Sequence, residues 1–309
     1  MILKTPRIFS ITVWECGVVR IMRSFLCGLF HLRILRLAIV MLATLAWSAP
    51  GFCGSIYEAA KQGDLATAKF LLQSDPQLAS SKNLSGSTAL HLAVQAHHPN
   101  VVELLLVYRP DIDAKDKDGN TPLHLAAIGG FTDLAQLLLN HKAETNIKNR
   151  DGDTPLHLAA STGKKEVIEL LLNHKAEISV KDGGGYTPLH LAAINGFVDV
   201  AELLLDHRAE INAKDNDGDS PLHLAARQNQ VEMVKFLLDR KADVKARNND
   251  GNTPLHLAAS GNNGEVVELL LADKSRINAR NNNDETPISM AKKSGAHDAM
   301  EALHRHGVR

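Results

Sequence analysis

Residues 121–127 read Thr-Pro-Leu-His-Leu-Ala-Ala. The same seven residues recur with their proline at Pro155, Pro188 and Pro254, and with serine in place of threonine before Pro221. Every interval between these prolines is a whole multiple of 33 residues. A fixed period of this length is typical of repeat proteins, in which each unit packs only against its neighbours.

The period continues on both sides of these five copies. Six regular units each begin at a glycine three residues before the proline position, a divergent unit precedes them, and a truncated unit ends the chain. We therefore predict eight units, with the outer two acting as caps. Their bounds are 54–85, 86–118, 119–151, 152–184, 185–217, 218–250, 251–283 and 284–309.

Each unit carries the signals of two short helices. Thr121 is a good N-cap, and Pro122 suits the first helical position because its missing N–H would have no partner there. Leu123, Ala126 and Ala127 form one apolar face, and Gly130 ends the helix. A second helix follows with Leu134, Leu137 and Leu138 facing inward, and Asp151-Gly152 then forms the tip of a hairpin.

This pattern strongly resembles the ankyrin repeat family over essentially all of residues 54–309. The resemblance implies an all-α repeat solenoid, an ankyrin repeat stack with a helix-turn-helix and a β-hairpin loop in each unit. It also implies a module that binds other proteins through its hairpin tips and its concave helix surface.

Residues that vary between units are the ones that can encode specificity. On the hairpin tips we identify seven candidates for partner binding: Lys117, Asn120, Arg150, Asp153, Tyr186, Asp219 and Asn252. Around the ends of the first helices there are eight more: Ile128, Phe131, Ser161, Lys164, Ile194, Phe197, Arg227 and Gln230. Phe131 and Phe197 have two interpretations, an exposed contact with a partner or a cover over the neighbouring unit's helix.

The 15 histidines do not indicate chemistry. Six belong to the repeated motif, where the resemblance implies hydrogen bonds within the unit and to the adjacent hairpin: His91, His124, His157, His190, His223 and His256. The repeat region contains no motif of a hydrolase, a phosphate-binding loop or a zinc protease. We predict a non-enzymatic protein with no catalytic residue, metal site or cofactor.

One departure from the family recurs in six units. Where ankyrin repeats usually place glycine after the second helix, this chain has a basic residue: Arg109, Lys142, Lys175, Arg208, Lys241 and Lys274. A left-handed conformation there costs a non-glycine residue about 1 kcal/mol. The cation either complements the negative end of the helix dipole, which we favour, or forms a basic column for an acidic partner.

The first 53 residues differ in composition from the rest. They contain all three cysteines, both tryptophans, six basic residues and one acidic residue, Glu15, although the whole chain of 309 residues has a net charge of −1. The remainder has 28 basic and 34 acidic residues, so it carries no basic excess that would favour nucleic acid. Leucine and alanine fill the repeat cores, in line with an aromatic content of only 4%.

Residues 1–53 are typical of a targeting segment. Arg33 and Arg36 precede an apolar run from Leu37 to Trp47 and then small residues, as in a secretory signal peptide. Cleavage before Ala49 or before Gly54 fits, and a start at Met22 would give the peptide an ordinary length. An uncleaved membrane anchor is the alternative, although the run is shorter than the ~20 residues of a spanning helix.

These observations favour an exported, periplasmic or secreted, non-enzymatic protein that binds a protein partner. The alternative function is a structural or protective accessory to an enzyme or membrane complex in the exported compartment. We expect a monomer that binds no nucleic acid and touches a membrane only if the N-terminal segment is retained, in which case the repeats would lie outside the cytoplasm.

Overall fold

The computed structural model describes residues 55–307, which belong to one compact unit, Gly54–Arg309. The predicted targeting segment, its cleavage sites and the alternative start at Met22 lie outside the described residues. Within the described range, none of the helices has the length and apolar character needed to cross a bilayer.

Residues 55–307 form sixteen α-helices in eight pairs, one pair per predicted unit. The first helices of the pairs, here called inner helices, are α1 Ile56–Gln62, α3 Ala89–Gln95, α5 Pro122–Gly129, α7 Pro155–Ser161, α9 Pro188–Asn195, α11 Pro221–Arg227, α13 Pro254–Ser260 and α15 Pro287–Ser294. The second, outer helices are α2 Leu65–Ser74, α4 Pro99–Val107, α6 Thr132–Asn140, α8 Lys165–Asn173, α10 Val198–Asp206, α12 Val231–Asp239, α14 Gly264–Ala272 and α16 His297–Arg305. A 3-10 turn, Pro76–Ser80, follows α2.

The inner helices begin and end where the repeated motif predicts. Thr121 has extended backbone angles and caps α5, and Pro122 occupies the first helical position without losing a hydrogen bond. Gly130 ends the helix with a φ of 71°, a left-handed conformation that glycine adopts without a steric penalty. Similar caps recur along the stack, so each unit enters and leaves its helices in the same way.

Stacking of equivalent helices buries the apolar faces. Inner helices pack on the inner helices of the neighbouring units, and outer helices do the same on their side. Leu123, Ala126 and Ala127 of α5 and Leu134 of α6 are fully buried, as predicted, whereas Leu137 is only partly buried. The paired alanines allow close approach of neighbouring inner helices, and each buried leucine contributes about 2 kcal/mol. A single unit could not bury these faces alone.

The hairpin loops between units are turns and contain no strand within residues 55–307. Two backbone bonds close each tip, as from Asp116 N to the Asn120 carbonyl oxygen at 3.0 Å and from Gly119 N to the Asp116 carbonyl oxygen at 3.1 Å. One more bond joins consecutive tips, as from Arg150 N to the Asp118 carbonyl oxygen at 3.0 Å. A single bond between consecutive tips is too little to form a β ladder, which is why the predicted β-hairpin loop is present as a hydrogen-bonded turn.

Candidate protein-interaction surface

The six motif histidines join each unit to the next. In the third unit, the backbone N–H of Thr121 donates to His124 Nδ1 at 3.1 Å, and the hydroxyl of Thr121 lies 2.8 Å from the same nitrogen. The opposite nitrogen, Nε2, lies 3.1 Å from the carbonyl oxygen of Asp153 in the following tip. Because Nδ1 accepts a hydrogen bond from the backbone, Nε2 must carry the ring proton and donate it. The prediction that these histidines are structural is confirmed.

Burial keeps these imidazoles neutral. It lowers the pKa of His124 and of His223 to about 4, and the hydrogen bonds that they donate to Asp153 and Asn252 only partly offset the effect. The pKa values of the other four motif histidines are lowered for the same reason. The ladder that joins the units is therefore built from neutral side chains at pH 7.

The position before each outer helix contacts the preceding unit. The ring of Phe131 stacks on His97, with centroids 4.4 Å apart and planes 7° from parallel. Phe197 lies against Gly163, and Gln230 Nε2 donates to the carbonyl oxygen of Ile194 at 2.8 Å. Both phenylalanines are partly buried against the core. The structure thus shows that they cover the neighbouring unit, and a role in binding a partner remains a prediction.

Tips and inner-helix ends share a surface. The guanidinium of Arg227, at the end of α11, donates to the carboxylate of Asp219 in the tip before it, at 3.2 Å. Lys293 of α15 reaches Glu285 of the last tip in the same way, at 2.5 Å. These two pairs show that a tip and the end of the following inner helix lie side by side, and the surface that they form along the stack is here called the tip surface.

The fifteen candidates differ in exposure. Four are exposed: Lys117, Ile128, Arg150 and Arg227. Nine are partly buried: Asn120, Phe131, Asp153, Ser161, Lys164, Tyr186, Ile194, Phe197 and Gln230. Two are buried: Asp219 and Asn252. Asp219 accepts from Asn248 and Arg227, and Asn252 accepts from Asn281, so both of them organise the tips. The binding roles of all fifteen remain predictions.

Sequence analysis missed a row of four aspartates on the tips. Asp118, Asp151, Asp217 and Asp250 are spaced by one or two repeats, and all four are exposed. Each backbone carbonyl accepts the bond from the following tip, whereas none of the four carboxylates has a hydrogen bond or ion pair with another described residue. The signal was the repeated Asp-Gly dipeptide, which turn chemistry alone explains. Only the hydrogen bonds show that the turn uses the backbone and leaves the carboxylate free.

One candidate carboxylate is electrostatically strained. Burial raises the pKa of Asp153 to about 6, and the nearby carboxylates of Asp182 and Asp151 add to the effect. Its equivalents in the neighbouring units are Asn120 and Tyr186, which carry no charge. The tip surface around Asp153 therefore disfavours a further negative charge and would favour a cation.

The six basic residues after the outer helices adopt the left-handed conformation. Their φ angles lie between 51° for Arg109 and 70° for Lys142. The predicted backbone conformation is thus confirmed, and no ion pair involves these six side chains within residues 55–307. In the same range, no group of three or more metal-ligating side chains is close enough to hold an ion.

The fold and this surface define a helical repeat protein whose units are joined by buried histidines and by their tips. The chain belongs to the ankyrin repeat family: the family described as "Ankyrin repeats (3 copies)" matches residues 56–149, 106–182, 130–215, 180–248 and 209–281. Repeats of this family are generally protein–protein interaction modules. Among curated proteins, none matches this chain.

Proposed function

We propose that this protein is a non-enzymatic binding module whose tip surface holds a protein partner with a basic segment. The row of unpartnered carboxylates at Asp118, Asp151, Asp217 and Asp250 carries the proposal. Each is held in place by its own backbone bond to the next unit, so the charges are positioned without being neutralised. A partner with lysines or arginines at matching intervals would supply the missing counter-ions.

The composition of the tips supports a basic partner most strongly in the C-terminal half. At the position beside the aspartate row, Lys117 and Arg150 offset the charge in the first units, whereas Gly183, Asn216 and Asn249 stand there in later ones. Asp217 and Asp250 therefore have no neighbouring cation at that position. Exposed ion pairs are individually worth less than about 1 kcal/mol, so binding requires several of them together with contacts to apolar residues such as Ile128.

Neutralising the row tests the proposal. The variant carrying Asp118→Asn, Asp151→Asn, Asp217→Asn and Asp250→Asn keeps the backbone bonds of the tips, so we expect it to fold. A photo-crosslinker at Ser161 would capture the partner from the native compartment in the wild-type protein. We expect the yield of this crosslinked partner to fall about tenfold in the variant and to fall in the wild-type protein as salt rises.

A matched control removes the same charge elsewhere. Glu144→Gln, Glu169→Gln, Glu177→Gln and Glu210→Gln change four exposed glutamates whose carboxylates have no hydrogen bond or ion pair within the described range. This control should capture the partner as the wild-type protein does. Equal losses in both variants would show that only net charge matters, and an unchanged yield in the aspartate variant would refute the tip surface as the binding site.

We also propose that the repeat domain acts outside the cytoplasm, because residues 33–50 have the order of a signal peptide. N-terminal sequencing of the protein isolated from the exported fraction would identify the processing site. Both tryptophans, Trp14 and Trp47, precede the two proposed cleavage sites. The mature protein should therefore show tyrosine fluorescence and no tryptophan emission, and tryptophan emission from the purified exported chain would contradict cleavage.

A stable complex would distinguish binding from a protective accessory role. A module that holds one partner should elute with it in a fixed ratio during size-exclusion chromatography. A protective factor would instead prolong the life of a client enzyme without a stable complex. We favour the first outcome, because the carboxylate row is positioned by the fold in several consecutive units.

A further inference from the structure

A basic groove lies between the last two loops that lead from an outer helix to a tip. Its cavity has a volume of about 680 Å³. Four cationic side chains line it, Lys245, Arg247, Arg276 and Arg280, and there is no acidic residue in the lining. Val244, Ile277 and Ala279 add an apolar floor.

The charge of this groove departs from the repeat. At the position of Arg276, every earlier regular unit has an acidic residue: Asp111, Glu144, Glu177, Glu210 and Asp243. At the position of Lys245, other units have Asp113, Asn146, Ser179, Asn212 and Asn278. The equivalent groove two units earlier is lined by Ser179, Lys181 and Glu210 and has a volume of only about 40 Å³. Lys245 and Arg276 thus give the last groove a lining whose charges are all positive, whereas the groove two units earlier has mixed charge.

The same substitutions remove a contact between units. At two earlier junctions, the side chain of Asn212 accepts from the backbone N–H of Asp243 at 2.9 Å, and Asn146 accepts from that of Glu177 at 2.8 Å. Lys245 stands at the Asn212 position, and an ammonium cannot accept a hydrogen bond. The last groove therefore lacks this bond between units, as does the groove formed by Ser179 and Glu210.

The cations of the groove are largely unpaired. Lysines at the position of Arg247 donate to the carbonyl oxygen of the next unit, as from Lys214 Nζ to the Arg247 oxygen at 2.9 Å, but Arg247 makes no such bond. Arg276, Lys245 and Arg247 have no ion pair with any described residue, and Arg280 pairs with the exposed Asp284 at 2.9 Å. Like charges that share a groove repel one another unless an anion joins them.

We propose that this groove binds a ligand with a multivalent phosphate group. The planar guanidinium groups of three arginines and the compact ammonium group of one lysine are donors of the kind that hold phosphate oxygens. A single carboxylate would neutralise only one of the unpaired cations, whereas a diphosphate neutralises two or three. The cavity volume falls in the range of small-molecule sites, ~300–1,000 Å³, and the apolar floor suits the organic part of a phosphate ester.

Pyrophosphate is the probe that tests the proposal. Isothermal titration of the whole protein at near-physiological salt should show one site per chain. The double variant Arg276→Glu and Lys245→Asn restores the residues of the earlier units, including the acceptor for the backbone N–H of residue 276. We expect it to be at least as stable as the wild-type protein and to bind pyrophosphate about tenfold or more weakly.

Lys175→Glu is the matched control. Lys175 is exposed, has no ion pair within residues 55–307 and lies two to three units from the groove. Its reversal changes the net charge by two units, as the single variant Arg276→Glu does, whereas the double variant changes it by three. Pyrophosphate should bind this variant as it binds the wild-type protein. Equal weakening in Lys175→Glu and in the single variant Arg276→Glu would show general electrostatic attraction and overturn the proposal.

Two further measurements identify the source of the phosphate. Flotation with phosphatidylcholine vesicles that contain phosphatidic acid, compared with vesicles lacking it, tests a lipid headgroup. Binding of free pyrophosphate without flotation assigns a soluble ligand, and flotation that the double variant loses assigns a headgroup. Absence of both, or tighter binding of a hexaglutamate peptide than of pyrophosphate at equal ionic strength, would overturn the phosphate site.

Discussion

His124 holds the carbonyl oxygen of Asp153, 29 residues further along the chain, with Nε2 and oxygen 3.1 Å apart. Five equivalent bonds connect the other motif histidines to the following tips. The connection depends on a neutral imidazole, because Nδ1 accepts a bond from the backbone of its own unit while Nε2 donates. Stability of the stack should therefore depend on the protonation of these side chains.

We expect the protein to lose stability as the pH falls from about 6.5 towards 4. The unfolded chain binds protons at histidines of pKa 6.5, whereas His124 and His223 in the folded chain bind them only near pH 4. In this window the unfolded state holds more protons, so acidification favours it. A shift of this size corresponds to about 3 kcal/mol per fully protonated histidine. Urea unfolding at pH 7 and pH 4.5, followed by circular dichroism, measures the loss.

Two variants test whether the buried histidines cause this loss of stability. His124→Gln should start from a lower stability and lose less of it between the two pH values, because one depressed pKa has been removed. His141→Gln, at an exposed helix end outside the motif, should keep the wild-type dependence on pH. A wild-type unfolding midpoint that does not change with pH would contradict the role assigned to the buried imidazoles.

Asp153→Asn should stabilise the protein at pH 7 by about 1 kcal/mol. The folded state raises the pKa of this carboxyl to about 6, so ionisation at neutral pH works against folding. Asparagine occupies the same position in the third unit, where Asn120 accepts from Asn149 at 3.0 Å. The difference between the two proteins in chemical unfolding should shrink towards pH 4, because Asp153 then becomes neutral. A variant less stable than wild type at pH 7 would show that the carboxylate is needed.

Lys175→Gly should raise the free energy of unfolding by about 0.5–1 kcal/mol. The φ of Lys175 is 65°, which strains any residue that has a β-carbon. Loss of a cation near the end of α8 and the greater freedom of glycine in the unfolded chain offset part of this gain. Thermal unfolding shows whether the variant is more or less stable than the wild-type protein. Lys175→Gln serves as the control, because it removes the charge and keeps the strain.

Ser275→Ala should also stabilise the protein, by about 1 kcal/mol. The hydroxyl of Ser275 is buried and has no hydrogen-bond partner among residues 55–307. Alanine stands at the equivalent position in the four preceding units, at Ala143, Ala176, Ala209 and Ala242. Thermal melts of the two proteins at pH 7 would decide, and a lower melting temperature for the variant would indicate a partner for this hydroxyl. Ser260→Ala, which removes a bonded hydroxyl, should not stabilise the chain.

The period, the helix starts and the structural histidines could all be predicted from sequence. Thr121 and Pro122 act through the backbone next to them, and Gly130 acts through its own φ, so these signals are local. Repetition at 33 residues then makes one unit informative about all the others. The same reasoning identified the left-handed basic residues such as Lys142, because a departure from a repeated pattern is visible without coordinates.

The tips were less predictable. Asp118 looked like an ordinary turn residue, yet its backbone holds the next tip while its carboxylate stays free. Asp219 looked like a contact residue, yet it is buried and holds Asn248 and Arg227. In both cases the sequence shows only that an aspartate lies at a tip. Contacts between residues 8 to 32 positions apart, which come together only in the folded stack, determine which carboxylate is available.

Sequence alone was sufficient for the repeat, its helices and their caps, because each is specified by neighbouring residues and a fixed period. The packing of neighbouring units determines which side chains of those helices are exposed. Phe131 covers His97 of the preceding unit, and Lys245 and Arg276 reach the same groove although 31 residues separate them. A solenoid builds its surfaces from residues about one repeat apart, so partners, exposure and cavities arise only when the units are stacked.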